Sequence, residues 1–110
     1  MPGMMFPKPE KKKHLSRSII PGNQKGVCYI CGKYCQTENH HIFFGKGNRT
    51  LSDQYGLTVF LCTYCHREGP TAAHKSEDTR RMLERLGQEE FERQIGTHEE
   101  FRQIFGSNYL

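Results

Sequence analysis

Cysteine and histidine are the residues in this 110-residue chain whose types and spacing could do chemistry; it has five of the first and six of the second. Cys28-Tyr-Ile-Cys31-Gly and Cys62-Thr-Tyr-Cys65-His are two Cys-x-x-Cys pairs separated by 30 residues. Two residues between thiolates allow a tight turn that aims both sulfurs at one ion, and two such turns complete a tetrahedral four-cysteine zinc site. Gly32, next after Cys31, suits a knuckle turn that needs a residue free of Cβ hindrance. A disulfide framework is the competing reading. The odd number of cysteines, the lack of a secretory signal and a reducing cytosol count against it. Cys35 is the spare thiol, either an alternative partner for Cys31 or a small, partly buried hydrophobe.

The histidines exceed what a structural zinc site needs. His40-His41 form a doublet, and His66 directly follows the last cysteine. Neighbouring side chains on a strand point to opposite faces, so one ring of the doublet can bind a metal while the other holds a water. Histidine, with an ordinary pKa of about 6.5, suits the task of making a water nucleophilic near neutral pH. His74 follows Gly69-Pro70 and stays open between a third metal ligand, a phosphate contact and a plain polar residue at a helix start. His14 and His98 are read as solvent-facing.

These residues must be positioned by very little core. Leu, Ile, Val and Phe together supply 22 of the 110 residues, mean hydropathy is −0.78, and Trp is absent. A domain this small usually needs a metal, a disulfide or a partner. Zinc would contribute on the order of 10 kcal/mol to folding, which is roughly the shortfall. The longest apolar run is 59–62, too short to span a membrane, and the first residues lack the apolar stretch of a signal peptide, so a cytoplasmic protein is expected.

The expected fold is small α+β. Residues 41–44 and 57–62 read as two short strands joined by a Gly-rich polar loop, 45–56, which carries Lys46 and Arg49 either as phosphate contacts or as solvated side chains. Ser76 caps a helix that Gly87 should end; a second helical stretch covers about 88–95. Thr97 and Glu100 form a capping box for a third helix ending at Gly106. The net charge of +4 divides into +5 over residues 1–27, +2 over 28–75 and −3 over 76–110. Lys11, Lys12 and Lys13 give residues 1–26 the composition of a flexible basic arm, either a phosphate-binding tail or a solubilising terminus. The domain itself is expected over 27–87, with a helical extension over 88–110.

Cys28-x-x-Cys31, His40-His41-Ile42 and Leu57-x-x-x-Leu61-Cys62-x-x-Cys65-His66 together resemble the HNH, or ββα-metal (His-Me finger), endonucleases over about residues 28–85. With the Lys-rich arm, Cys65-His66-Arg67-Glu68-Gly69-Pro70 and the final Phe105-Gly106-x-Asn108-Tyr109-Leu110, the chain looks like small phage and prophage HNH proteins, some of which are associated with recombination. The resemblance implies a zinc-stapled ββα-metal core acting as a metal-dependent endonuclease or nickase on DNA in a bacterial host cell, with a recombination protein as a further partner. It makes His41 the general base and gives His40 and His66, with His74 as a third candidate, to Mg²⁺ or another divalent ion. Arg67 joins Lys46 and Arg49 as a nucleic-acid contact. The family's Asn before the second strand is missing from Gln54-Tyr55-Gly56-Leu57; Asn48 and Asp53 are the candidates to replace it. The alternative is a non-catalytic zinc-ribbon module that binds DNA or protein.

Overall fold

A computed structural model describes residues 17–45 and 47–110; Lys11, Lys12, Lys13, His14 and Lys46 lie outside the described residues. In chain order the elements are β1 (Glu38–His41), α1 (Asn48–Tyr55), β2 (Thr58–Leu61), a single π turn (Tyr64–Glu68), α2 (Glu77–Gln94) and α3 (His98–Phe105). β1 and β2 pair antiparallel, with Glu38 opposite Leu61 and His41 opposite Thr58. The result is a small α+β fold, as expected. Among the described residues no helix is long and apolar enough to cross a membrane.

The first strand begins and ends earlier than the 41–44 reading. His40 and His41 close it rather than open it. Ile42 still donates its N–H to Leu57 (3.0 Å), but the Ser52 hydroxyl then takes both the N–H and the carbonyl of Phe43, at 3.0 and 2.7 Å. With its ladder groups occupied, the chain turns and drives Ile42 and Phe43 into the core. Ser52 belongs to α1, which occupies most of the stretch read as a loop. Leu51 and Tyr55, four apart, pack against the core, and Gly56 ends the helix at φ +72°.

Gly87 does not end a helix. α2 runs unbroken from the Ser76 cap, whose hydroxyl accepts the Thr79 N–H, to Gln94. A Cβ at Gly87 would lie 3.0 Å from Phe43 and 3.1 Å from Ile42, so the glycine is there for close packing. α3 has its capping box at Thr97 and Glu100 and stops at Gly106. Phe101 and Phe105 of α3, Phe91 of α2 and Phe43 form one aromatic core, with Phe43 and Phe101 centroids 5.4 Å apart. The C-terminal helices therefore dock on the residue two places after His41.

Residues 17–26, assigned to the arm, are instead a strap along the sheet. Ile19 donates to Gly56 at 2.8 Å, Ser18 donates to the Thr58 carbonyl at 2.6 Å, and the Asn23 side chain accepts the Phe60 N–H at 2.8 Å. Ile20 is buried. Three backbone attachments and one core side chain outweigh what its composition suggested.

Candidate metal centres and active site

The two Cys-x-x-Cys turns fold onto each other. In the first, Gly32 sits at φ +76° and donates to the Cys28 carbonyl at 2.8 Å, the knuckle turn that its lack of a Cβ allows. The second repeats the pattern, with His66 donating to the Cys62 carbonyl at 2.9 Å. In each knuckle the second cysteine's N–H points at the first cysteine's sulfur, at 3.5 and 3.4 Å. Tyr29 donates to Phe60 at 2.8 Å and so ties the first knuckle to β2.

Four sulfurs, from Cys28, Cys31, Cys62 and Cys65, lie within 4.8 Å of one another, and all are free thiols. The Cys31–Cys62 sulfurs are 3.9 Å apart. A zinc–sulfur distance of about 2.3 Å in tetrahedral geometry puts sulfurs about 3.8 Å apart, so the cluster fits zinc. A disulfide would need about 2.05 Å. Burial raises the Cys28 thiol, but backbone hydrogen bonds from Cys31, Cys62 and Ile30 outweigh it and bring the group down to about 6. The cluster thus favours the thiolate that zinc requires at Cys28, whereas burial, then the Cys62 and Cys28 sulfurs, push the Cys65 thiol up. Cys35 stands beside the cluster but donates only to the Lys33 carbonyl, at 3.5 Å.

A second cluster lies one residue away. His40, His66 and His74 each offer a ring nitrogen, again within 4.8 Å of one another. His40 arrives from β1, buried. His66 is fixed by the π turn, directly after Cys65. His74 arrives because the chain doubles back: Ala73 donates to Cys65 at 2.8 Å and His74 to His66 at 3.1 Å. It lies ahead of α2, which begins only at Glu77. The His66 and His74 Nε2 atoms are 3.1 Å apart.

Three imidazole nitrogens are donors suited to a transition-metal dication, whereas Mg²⁺ prefers oxygen ligands. His40 Nε2 is a fully buried polar atom with no hydrogen-bond partner among the described residues. Such an atom normally costs stability unless something coordinates it. Burial first, then the neighbouring His66, His74 and His41, pushes the His40 imidazole down to about 3, so it stays neutral and its lone pair stays available. Burial and His66 also lower His74.

Glu38 is a participant that sequence reading missed. It shares a strand face with His40, two residues on, and its carboxylate accepts from His66 Nδ1 at 2.7 Å. That bond leaves His66 Nε2 for a metal, the usual way an outer carboxylate orients a ligating imidazole. The Arg67 guanidinium, then His66, holds the Glu38 carboxyl down at about 2. Arg67, expected at nucleic acid, therefore has its charge committed to Glu38, at 2.7 and 3.1 Å. The i, i+2 spacing of Glu38 and His40 was the available signal.

His41 lies on the opposite face from His40. Its Nε2 meets Asp53 Oδ1 at 2.8 Å; a carboxylate only accepts, so Nε2 donates and Nδ1 keeps its lone pair. Of the two candidates to hold this ring, Asp53 does so. Asn48 begins α1 and lines a separate cleft with Leu51 and Phe105. Both histidines of the doublet, with His66, His74, Arg49 and Phe44, line one open cavity of about 250 Å³. Among the described residues, Arg49 is thus the cation of the 45–56 stretch placed at the cluster. His98 bonds Glu92 at 2.7 Å, remote from this cavity. No family model matches the sequence, and neither a curated protein nor a solved structure gives a match.

Proposed function

We propose that the protein is a metal-dependent DNA endonuclease or nickase of the HNH type, with β1, β2 and the chain through α2 serving as its ββα-metal core. The observation that carries this reading is the convergence of three imidazoles on a buried, unpartnered nitrogen beside a fourth imidazole held by a carboxylate. A zinc-ribbon binding module has no need of that arrangement.

In this reading His40, His66 and His74 hold a divalent ion. Three imidazoles suit a transition-metal dication better than Mg²⁺, and such an ion, when bound, would supply positive charge where negative charge builds up on the phosphate. His41 Nδ1 takes the proton of the attacking water. Asp53 keeps that ring in the tautomer that leaves Nδ1 free and stabilises the imidazolium that forms, as the aspartate does in a Ser-His-Asp triad. Glu38 keeps His66 facing the ion. Arg49 binds a phosphate oxygen at the rim. The four cysteines would hold zinc, and Cys65 would then fix the adjoining His66. DNA as substrate, a recombination protein as partner and the cytoplasm of a bacterial host all belong to this proposal.

The test is cleavage of supercoiled plasmid with Mg²⁺, Mn²⁺ or Ni²⁺ added. Wild type should nick or linearise it, and His41→Ala should be slower by about 10²- to 10⁴-fold, the usual contribution of a general base. A wild-type protein that leaves plasmid intact with every metal ends the nuclease reading. Equal cutting by His41→Ala ends the assignment of the base alone.

A further inference from the structure

The two faces of the hairpin differ. Glu38, His40, Val59 and Leu61 share one; Asn39, His41, Thr58 and Phe60 share the other. The strap runs along the free edge of β2, where the Ser18 hydroxyl donates to the Thr58 carbonyl and the Asn23 side chain accepts the Phe60 N–H. Between strap and sheet an open groove of about 670 Å³ remains, lined among others by Arg17, Asn23, Lys25, Asn39, Asp53 and Phe60.

Three properties of the groove converge. It adjoins the histidine cavity: Asn39 lines both, and Asp53 in the groove is the residue that holds His41. It carries free positive charge, because Arg17 and Lys25 have no acidic partner among the described residues, whereas its one carboxylate, Asp53, is engaged by His41. It also offers side-chain amides and one aromatic ring. Asn23 uses its oxygen on Phe60 and keeps its NH₂ group, Asn39 is exposed, and Phe60 is half-buried on the groove floor. Cations for phosphates, amides for base edges and a ring for stacking are the groups that a nucleotide chain engages.

We propose that this groove is the subsite for an unpaired nucleic-acid strand and holds the nucleotides that flank the scissile phosphate. The position of the scissile phosphate rests on the nuclease reading of the adjoining cavity; strand binding does not. Paired bases are stacked inside a duplex and cannot meet a ring on a groove floor, so the strand must be open there.

The test is fluorescence anisotropy of a labelled oligothymidylate, alone and annealed to its complement, titrated over a range of salt without added divalent ion. The full-length protein should bind the single strand more tightly than the duplex. Arg17→Gln/Lys25→Gln should weaken single-strand binding about tenfold. It should also make the slope of log affinity against log salt shallower by about 1.4, at about 0.7 for each lost phosphate contact. Phe60→Ala should weaken it by about fivefold or more, with its melting curve recorded alongside. The double variant changes only exposed residues and keeps the test decisive if Phe60→Ala unfolds. Equal or tighter duplex binding, or unchanged affinity and salt slope in the double variant, overturns the groove. Intact strand binding with no plasmid cleavage overturns the nuclease reading alone; His41-dependent cleavage with binding unmoved by these substitutions overturns the groove alone.

Discussion

His41 and Asp53 are twelve residues apart, and only the fold makes them a pair. An imidazole acting as a base must have its free lone pair in place before the water arrives, and a single carboxylate contact at the far nitrogen supplies that constraint. On the proposed nuclease reading, Asp53→Ala should therefore lower kcat by on the order of 10- to 100-fold, a part of the general-base contribution, while KM for DNA stays put. Steady-state kinetics on a plasmid or oligonucleotide checks this. A rise in KM without a fall in kcat would make Asp53 a substrate contact. An unchanged kcat would remove it from the site. Glu38 acts in the same manner one face away: its carboxylate, kept ionised by Arg67, fixes the ring of His66. Both acids position histidines. Asp53 was visible as one of two candidates, whereas nothing in the local sequence ties Glu38 to a histidine 28 residues away.

At the scale of elements, the site depends on how α2 and α3 pack behind β1. Gly87 lets α2 approach Ile42 and Phe43, the residues that follow the histidine doublet. Both neighbours are fully buried and cannot move aside. Gly87→Val should therefore destabilise the fold by about 2–3 kcal/mol through overpacking, more than any gain in helix propensity returns. Glu89→Val, exposed on the same helix, should change it by less than about 1 kcal/mol. Urea denaturation distinguishes the two, and a Gly87→Val protein as stable as its parent would mean that the helix does not sit this close. This glycine also shows why some elements were readable and others not. Caps that satisfy backbone groups locally, at Ser76, Thr97 and Gly106, are legible because their cause lies within four residues. Gly87 looks the same in sequence as a helix stop, but its cause is a long-range contact. α1 was hidden by the glycines around it, although Leu51 and Tyr55 carried its period. The strap was hidden because its anchors are backbone atoms of β2 and Gly56, which no side-chain pattern announces.

At the scale of the whole molecule, the two candidate metal clusters are consecutive in the chain: Cys65 belongs to one and His66 to the other. The knuckle turn sets the backbone at Cys65, and the π turn that starts within it aims His66. With zinc bound, the cysteine cluster would position the histidine cluster without contributing to the proposed chemistry, and would also compensate for a thin hydrophobic core. The two roles separate experimentally. Cys62→Ser removes one of four ligands from a site expected to contribute on the order of 10 kcal/mol, comparable to the total stability of about 5–15 kcal/mol usual for a domain. That variant should lose bound zinc and its cooperative melting transition together. His41→Ala touches neither cluster's ligands and should retain one equivalent of zinc and the parent melting temperature while losing cleavage. Zinc content by elemental analysis and thermal melting by circular dichroism read both effects on the same samples. Equal melting of wild type, Cys62→Ser and His41→Ala would sink the division of labour, because it would mean that the cysteines are not what holds the two strands and the histidine-bearing turn in register. Loss of zinc from His41→Ala would sink it from the other side, by showing that the two clusters form one unit.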